Sequence, residues 1–359
     1  MPVRISDAFQ SHPHKHYPAD FNSLHELPDS YAWTHQLDEY PSLDSSFGSE
    51  LCVPIIDLTH QNVLKLTGHA CKTWGVFQVT NHGIPEKLLH DIESTCRSLF
   101  SLPVQQKLKA ARPADGISGY GIHRISSFFQ KLMWSEGFTI AGSPLEHFRL
   151  LWPQDYNKFC CMVEEYEKEM KRLAGKLMWL ILGSLGIPKE DVIWAGPKGD
   201  FEDASNAIQL NSYPACPDPN RAMGLAEHTD STLLSIIHQT NISGLQVLHE
   251  GAGWLTVPPV PGALVVNIGD LTHILSNGVY HNVLHRAIVN RSQQRLSIAY
   301  LYGPPASVQI SPQSKLVTPS HPPLYRPITW KEYLAIKGKL YNKALSTIKL
   351  YDPLNDQMD

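Results

Sequence analysis

His228 and Asp230 stand two residues apart in "GLAEHTDSTLLSII" (residues 224–237), at the mouth of an apolar, β-branched run. In a strand, side chains two apart project from the same face, so an imidazole and a carboxylate would stand side by side next to a buried segment. The pair is either an incidental surface feature or two thirds of a metal site whose third ligand lies elsewhere. Downstream, "NVLHRAIVNRSQQRLSIAYLYGPP" carries His285 in one β-type run and Arg295 with Ser297 in the next. Arg295 and Ser297 share a face, while Leu296, Ile298 and Tyr300 take the other. An arginine turned into a small barrel is costly unless an anion meets it. Its planar fork pairs with a carboxylate through two parallel hydrogen bonds, and the neighbouring hydroxyl adds a donor. Arg295 and Ser297 therefore predict a site for a small carboxylate.

Two imidazoles and one carboxylate on one face of a metal ion form the donor set of non-haem Fe(II) oxygenases. Three coordination positions then stay open. A 2-oxo acid can fill two and dioxygen the third, and the far carboxylate of 2-oxoglutarate would then lie against Arg295 and Ser297. His273, after "NIGDL", and His281, beside the turn signal "SNG", compete with His285 for the third ligand position. The place of His285 in the β-run directly before the Arg-x-Ser strand favours it. Two other chemistries use part of this set. A zinc hydrolase suits His/Asp/His alone, but leaves Arg-x-Ser without a role. A non-catalytic β-barrel that binds a small acid or hormone needs Arg295 and a pocket, but not three convergent ligands.

The elements that must position these residues are legible as a change of texture. "VPIIDL" (53–58) and "VFQVT" (76–80) read as strands around a helix, and Asn81-His82-Gly83 turns the chain into a second helix over about residues 86–100. "NKFCCMVEEYEKEMKRLAGKLMWLILGSLGIP" has apolar residues at spacings of three and four, and is stopped by Gly186 and Pro188. After Ala204 come seven short β-type runs separated by turn residues, which implies a sandwich, jelly roll or barrel. "ITWKEYLAIKGKLYNKALSTIKL" predicts a C-terminal helix. The expected organisation is a mobile lead over 1–50, a helix-rich region over 51–200, the β core over 201–310, and a C-terminal helix and tail over 311–359. In the lead, "HPHKH" (His12, His14, His16) has metal-binding side chains, but nothing nearby rigidifies it.

The 359 residues suffice for one large domain or two ordinary ones. A net charge of −4 (30 basic, 34 acidic) gives no reason to expect nucleic acid or an anionic membrane as a partner. No stretch approaches the ~20 apolar residues of a membrane span, and the N-terminus lacks a basic-then-apolar signal. These features point to the cytosol, with the nucleus also open. The six cysteines show no CxxC pair and read as buried small hydrophobes and free thiols of a reducing compartment.

"CKTWGVFQVTNHGIP", "NSYPACPDP", "HTDSTLLSIIHQ" and "LHRAIVN…RLSIAYLYGPP" resemble the plant 2-oxoglutarate/Fe(II)-dependent dioxygenases over residues 50–345. More narrowly, "SLFSLPVQQKLKAAR", "SGYGIHRISSFFQKLMWSEGFTIAGSPL" and "NRAMGLAEHTDSTLL" resemble gibberellin 3-oxidases. The resemblance implies a mainly β fold, a double-stranded β-helix (jelly roll) with helical flanks. It implies His228, Asp230 and His285 as iron ligands, Arg295 and Ser297 as 2-oxoglutarate anchors, and ascorbate as a reductant. The family's Asn-x-Tyr element falls on Asn211 and Tyr213, the tyrosine hydroxyl facing the co-substrate and the asparagine orienting its neighbours. The segment Tyr120–Trp134 mixes glycine, serine and aromatics without a clean period and resembles the region at the family's substrate mouth. Phe128, Phe129, Met133 and Trp134 are candidates there for an apolar pocket wall. The implied reaction is 3β-hydroxylation of a gibberellin precursor with O2 and 2-oxoglutarate, releasing succinate and CO2. Relatives that act on another gibberellin carbon, or on another small plant metabolite, share the same triad.

Overall fold

The protein is described by a computed structural model that covers residues 19–33, 51–114 and 116–350. His12, His14 and His16 lie outside the described residues. In chain order the elements begin with β1 (Ile55–Asp57), α1 (Val63–Thr73), β2 (Val76–Thr80), α2 (Glu86–Phe100), α3 (Val104–Leu108), β3 (Gly119–Gly121), β4 (Glu136–Ile140), α4 (Leu145–Leu151) and α5 (Tyr156–Ser184). They continue with β5 (Ser205–Tyr213), β6 (Met223–His228), β7 (Leu234–Gln239), β8 (Leu245–His249), β9 (Gly253–Thr256), β10 (Leu264–Ile268), α6 (Asp270–Leu275), β11 (His285–Ile288) and β12 (Arg295–Gly303). β13 (Gln309–Ile310), β14 (Ile328–Thr329) and α7 (Trp330–Leu340) close the chain.

Two facing sheets make the jelly-roll core. The larger has eight strands in the order β1-β2-β10-β7-β12-β5-β4-β3, and the smaller has four in the order β6-β11-β8-β9. β1 to β4 come from the helix-rich half, so this half builds both edges of the large sheet and is not only a flank. Period-two alternation decides what each strand shows to either side. On β12, Leu296, Ile298, Tyr300 and Tyr302 are buried in the cluster that also holds Met170, Leu177 and Ile181 of α5. Arg295 and Ser297 therefore turn the other way, toward the space between the sheets. There Ile237 and Val265 of the large sheet belong to one apolar cluster with Leu245 and Val247 of the small one.

α5 stops where its sequence says it should. Gly186 adopts φ +70, which a side chain disfavours, and Ile187 N donates back to Leu182 O at 3.0 Å, satisfying a carbonyl at the helix end. The C-terminal helix differs from its reading. α7 ends at Leu340, because Tyr341 takes φ +50 and the residues beyond form only short 3-10 turns. Tertiary contacts of Tyr341, described below, outweigh the helical propensity of the following residues.

Residues 19–33 are a second difference, since the lead was expected to be mobile. Phe21 and Tyr31 are buried against Trp134 with ring centroids 4.8 and 5.3 Å away, and Trp33 donates its indole N–H to Leu132 O at 2.9 Å. Three large aromatics in fifteen residues bury enough apolar surface to hold this stretch on the β core. No helix among the described residues is long and apolar enough to cross a membrane.

Candidate active site

His228 closes β6 and His285 opens β11, and the two are direct partners in the antiparallel ladder. Their rings lie 4.3 Å apart. Asp230 is not on a strand. It sits in the loop after β6, so its convergence with His228 does not come from the strand alternation that suggested it. The loop is pinned instead by the backbone: Asp270 N donates to Asp230 O at 2.8 Å, and Gly269 N to Leu233 O at 3.0 Å. Gly269 permits this approach, since a Cβ there would lie 2.1 Å from Thr232 O.

Asp230 Oδ1 is 3.8 Å from both His228 Nε2 and His285 Nε2, and the three ligand atoms lie within 4.8 Å of one another. The separations are too long for hydrogen bonds. Each ring is oriented by its other nitrogen: His228 Nδ1 donates to Ala226 O at 2.8 Å and His285 Nδ1 to Val283 O at 3.2 Å. That leaves each Nε2 to the cluster side, as metal ligation requires, with Asn267 Nδ2 at 3.5 Å from that of His285. Burial, then the neighbouring His285, push His228 down to about 4, so the ring is neutral near pH 7. Burial alone would raise the Asp230 carboxyl, but His285, His228 and the Ser235 hydroxyl outweigh it and hold the group below its ordinary value. Neutral imidazoles and an ionised carboxylate are the states that bind a cation. The donor set fits a divalent metal.

The rival histidines lie outside the cluster. His273 Nδ1 meets Tyr280 O at 2.6 Å and its Nε2 meets the Tyr325 hydroxyl at 2.9 Å. His281 is exposed, on the far side of the turn, with its backbone N–H on Cys71 O.

Arg295 and Ser297 face Tyr213 and Asn211 across the β12–β5 ladder. Arg295 is 2% exposed and rests over the Tyr213 ring, its Cζ 5.2 Å from the centroid. Nη2 donates to Gln239 Oε1 at 3.0 Å and Nε to Ile242 O at 3.2 Å. No carboxylate accompanies it among the described residues, and burial pulls its pKa down. Asn211 Nδ2 donates to Ser297 Oγ at 3.2 Å, and Gln209 Nε2 in turn donates to Asn211 Oδ1 at 3.1 Å. Asn211 thus orients Ser297, and Tyr213 carries the arginine.

One cavity of about 300 Å³ joins the two groups, lined by His228, Asp230 and His285 and by Arg295, Ser297, Tyr213 and Asn211. Of the four aromatic and thioether candidates for its wall, only Phe128 lines it. Phe129 packs between Trp33 and Tyr341, at ring distances of 5.2 and 5.5 Å. Met133 is buried with Trp33, Met223 and Ala226. Trp134 is wholly enclosed, with Phe21 and Tyr31 on it and its indole N–H shared between Pro214 O and Ala215 O. These three are packing residues behind the wall, because the chain runs out of its 3-10 turn (Arg124–Phe128) and turns their side chains into the core.

More of the wall comes from α7 and the residue that follows it, which sequence reasoning did not connect with the site. Leu334, Lys337 and Tyr341 line the cavity. Tyr341 stacks on Phe128 with centroids 4.9 Å apart, and its hydroxyl donates to Glu227 O on β6. His123 was missed as well. It lines the cavity, and burial and the nearby Arg112 push it down to about 3. Gln239, the partner of Arg295, had only its place on β7 as a signal.

Comparison with known proteins agrees with this geometry. The model of the 2OG-Fe(II) oxygenase superfamily matches residues 204–304, and that of the non-haem dioxygenase in morphine synthesis N-terminal region matches residues 53–157. The chain is 61% identical to gibberellin 3-beta-dioxygenase 1 of Pisum sativum, over 99% of this chain and 96% of that protein. It is 56% identical to gibberellin 3-beta-dioxygenase 1 of Arabidopsis thaliana, over 97% and 99%. Among solved structures, JOX2 in complex with 2OG, Fe and JA superposes with a TM-score of 0.78 at 30% identity, over 97% of each chain. The dioxygenase for auxin oxidation in rice superposes at 0.68 with 28% identity, over 83% of this chain and 99% of that one. With near-complete coverage by such relatives, and with a His/Asp/His cluster and a buried arginine in one cavity, the chain belongs to the gibberellin 3-beta-dioxygenase family of the 2-oxoglutarate/Fe(II) oxygenases.

Proposed function

We propose that the chain hydroxylates gibberellin precursors at the 3β position, consuming O2 and 2-oxoglutarate and releasing succinate and CO2. In this reading His228, Asp230 and His285 hold Fe(II), and Arg295 with Ser297 anchors the far carboxylate of 2-oxoglutarate. Bound Fe(II) supplies the redox chemistry, coupling O2 reduction and oxidative decarboxylation of 2-oxoglutarate to hydroxylation of an unactivated C–H bond. Ascorbate serves as the reductant that keeps the metal ferrous.

The protein supplies position and dryness. Arg295 offers a carboxylate the donors that Gln239, Ile242 and the Tyr213 hydroxyl leave free, at a depth where a charge-assisted hydrogen bond is strong. Tyr213 holds the guanidinium from below, and Asn211 sets the rotamer of Ser297. The side chains of Ile125, Phe128 and Leu334 give the cavity an apolar wall for a rigid ring system, with Tyr341 at its rim. A wall of this kind fixes which carbon comes to rest beside the metal, and small displacements there change the outcome. Nucleic acid and membrane have no place in this reading. A cytosolic or nuclear setting, where thiols stay reduced, agrees with six unpaired cysteines.

The observation that carries the chemistry is the single cavity that links Arg295 to the His/Asp/His cluster. The choice of substrate is supported by the relatives' near-full-length similarity. The test is incubation of purified protein with Fe(II), 2-oxoglutarate, ascorbate and a panel of gibberellin precursors, with products identified by mass spectrometry. The expected result is a product hydroxylated at carbon 3 with stoichiometric succinate. Hydroxylation at a different carbon, or of no gibberellin at all, would reject it.

A further inference from the structure

Asp270, at the start of α6, is fully buried, yet its carboxylate collects three donors. These are Lys337 Nζ, the Tyr333 hydroxyl at 2.7 Å and Asn282 Nδ2 at 2.6 Å. Lys337 and Tyr333 both come from α7. Lys337 Nζ also donates to Thr229 O at 2.7 Å and to Thr229 Oγ1 at 2.6 Å. Thr229 is the residue between His228 and Asp230, and Asp270 N donates to Asp230 O. A closed ring of contacts therefore runs from α7 to α6, through the loop that carries Asp230, and back to α7.

A buried ion pair is a poor choice if the only task is to fix a helix, since well-packed apolar residues do so at equal or lower cost. What an apolar residue cannot do is donate hydrogen bonds to a loop. The loop from Thr229 to Leu233 lies between β6 and β7, and backbone N–H groups of residues 269–271 hold the carbonyls of Asp230, Thr232 and Leu233 but not that of Thr229. The Thr229 carbonyl depends on Lys337. We infer that Lys337 is a positioning residue for the metal site: paired with Asp270, it holds Thr229 so that His228 and Asp230 meet at one point, and it ties that geometry to α7, the helix that walls the substrate cavity. This rests on reading His228, Asp230 and His285 as metal ligands.

Charge and position make opposite demands on this residue. A cation near the cluster opposes binding of a divalent metal, so a role through charge alone means that Lys337→Met tightens metal binding. A role through position means that the same change loosens the loop and weakens it. Thr229→Ala alters no charge and removes one of the two acceptors, so it has only the positional sign.

The experiment is titration of metal-free, full-length protein with Co(II), followed by its visible absorption, for the wild type, Lys337→Met, Thr229→Ala and His228→Ala. Co(II) binding needs no turnover, and circular dichroism reports whether each variant is folded. Lys337→Met should weaken Co(II) binding about tenfold or more and Thr229→Ala by less, in the same direction, as loss of groups that orient metal ligands does. Each should also shift the absorption band. If Lys337→Met does not fold, the charge-balanced Lys337→Met/Asp270→Asn is read in its place, with the same expectation. Unchanged or tighter binding in the folded Lys337 variants overturns the inference while leaving the ligand reading intact. Wild-type binding by His228→Ala overturns the ligand reading, and the inference with it.

Discussion

Arg295 and Tyr213 sit opposite each other in the β12–β5 ladder, with the guanidinium carbon 5.2 Å above the phenol ring and both residues 2% exposed. The fork is held from below by an aromatic face and along one edge by Gln239 and Ile242. The Tyr213 hydroxyl is a further hydrogen-bond partner, and the group lines the cavity. Such an arrangement selects for the planar group, not only for its charge.

Arg295→Lys keeps the cation and loses the fork. The 2-oxoglutarate concentration for half-maximal turnover should rise by about tenfold or more, the loss of one charge-assisted hydrogen bond of about 1.5–3 kcal/mol. Co(II) binding to the same variant should change little. A steady-state titration of 2-oxoglutarate that overlays on the wild type would make Arg295 a structural residue.

Phe128 and Trp134 lie six residues apart and should fail differently. Phe128→Ala opens the cavity mouth where Tyr341 stacks, and should cut hydroxylated product by roughly tenfold or more while 2-oxoglutarate consumption falls less. Trp134→Ala removes a fully buried ring and should cost about 3–5 kcal/mol of stability. The folded fraction of that variant should keep its ratio of product to succinate. Both ratios are measured by mass spectrometry beside thermal melts, and matching behaviour of the two variants would contradict the placement of the wall.

Removal of metal gives a third check. EDTA should abolish turnover, and Fe(II) should restore it. His285→Ala should lose Co(II) binding, whereas His273→Ala should retain it, because His273 is committed to Tyr280 and Tyr325. Loss of Co(II) binding in a folded His273→Ala variant would reopen the choice of third ligand.

Stability should depend on pH through His238 on β7. Burial, partly offset by Glu93, pushes this imidazole down to about 4, and its Nδ1 is enclosed without a partner. The unfolded chain, with histidine near 6.5, then binds more protons than the folded one between about pH 4 and 6.5. Stability therefore rises with pH through that window and, for this group, is level above it. Urea melts of metal-free protein at pH 5 and pH 7 should show a smaller difference in His238→Leu than in the wild type. An equal difference would assign the acid sensitivity elsewhere.

How far the site was legible follows from which signals are local. The alternation on β12 is a property of neighbouring residues, so Arg295 and Ser297 were assigned to the inner face from sequence, as Leu296 and Ile298 were to the outer one. His228 and Asp230 do lie together, but strand alternation is not what brings them there. A strand ends at His228, and a backbone bond from Asp270, forty residues on, brings the carboxylate round. Nothing in "HTD" announces that bond. The aromatics of 128–134 were beyond sequence reading because an aperiodic segment has no face to assign. Which of them looks into the cavity depends on Phe21, Tyr31 and Trp33, about a hundred residues earlier, which occupy the other side. The end of α7 was hidden for a similar reason. Tyr341 leaves helical geometry to reach Phe128 and Glu227, contacts that no local propensity encodes.

The two histidines belong to the four-stranded sheet, and Arg295, proposed above as the carboxylate anchor, belongs to the eight-stranded one. The distance between them is consequently the thickness of the layer that Ile237, Val265, Leu245 and Val247 fill. A methyl group gained or lost in that layer changes the span that the bound oxo acid must bridge, with every polar residue of the site untouched. Drift among aliphatic residues is thus a route by which descendants of this chain can adjust co-substrate affinity, and comparisons of such descendants limited to their catalytic residues would find no difference to explain it.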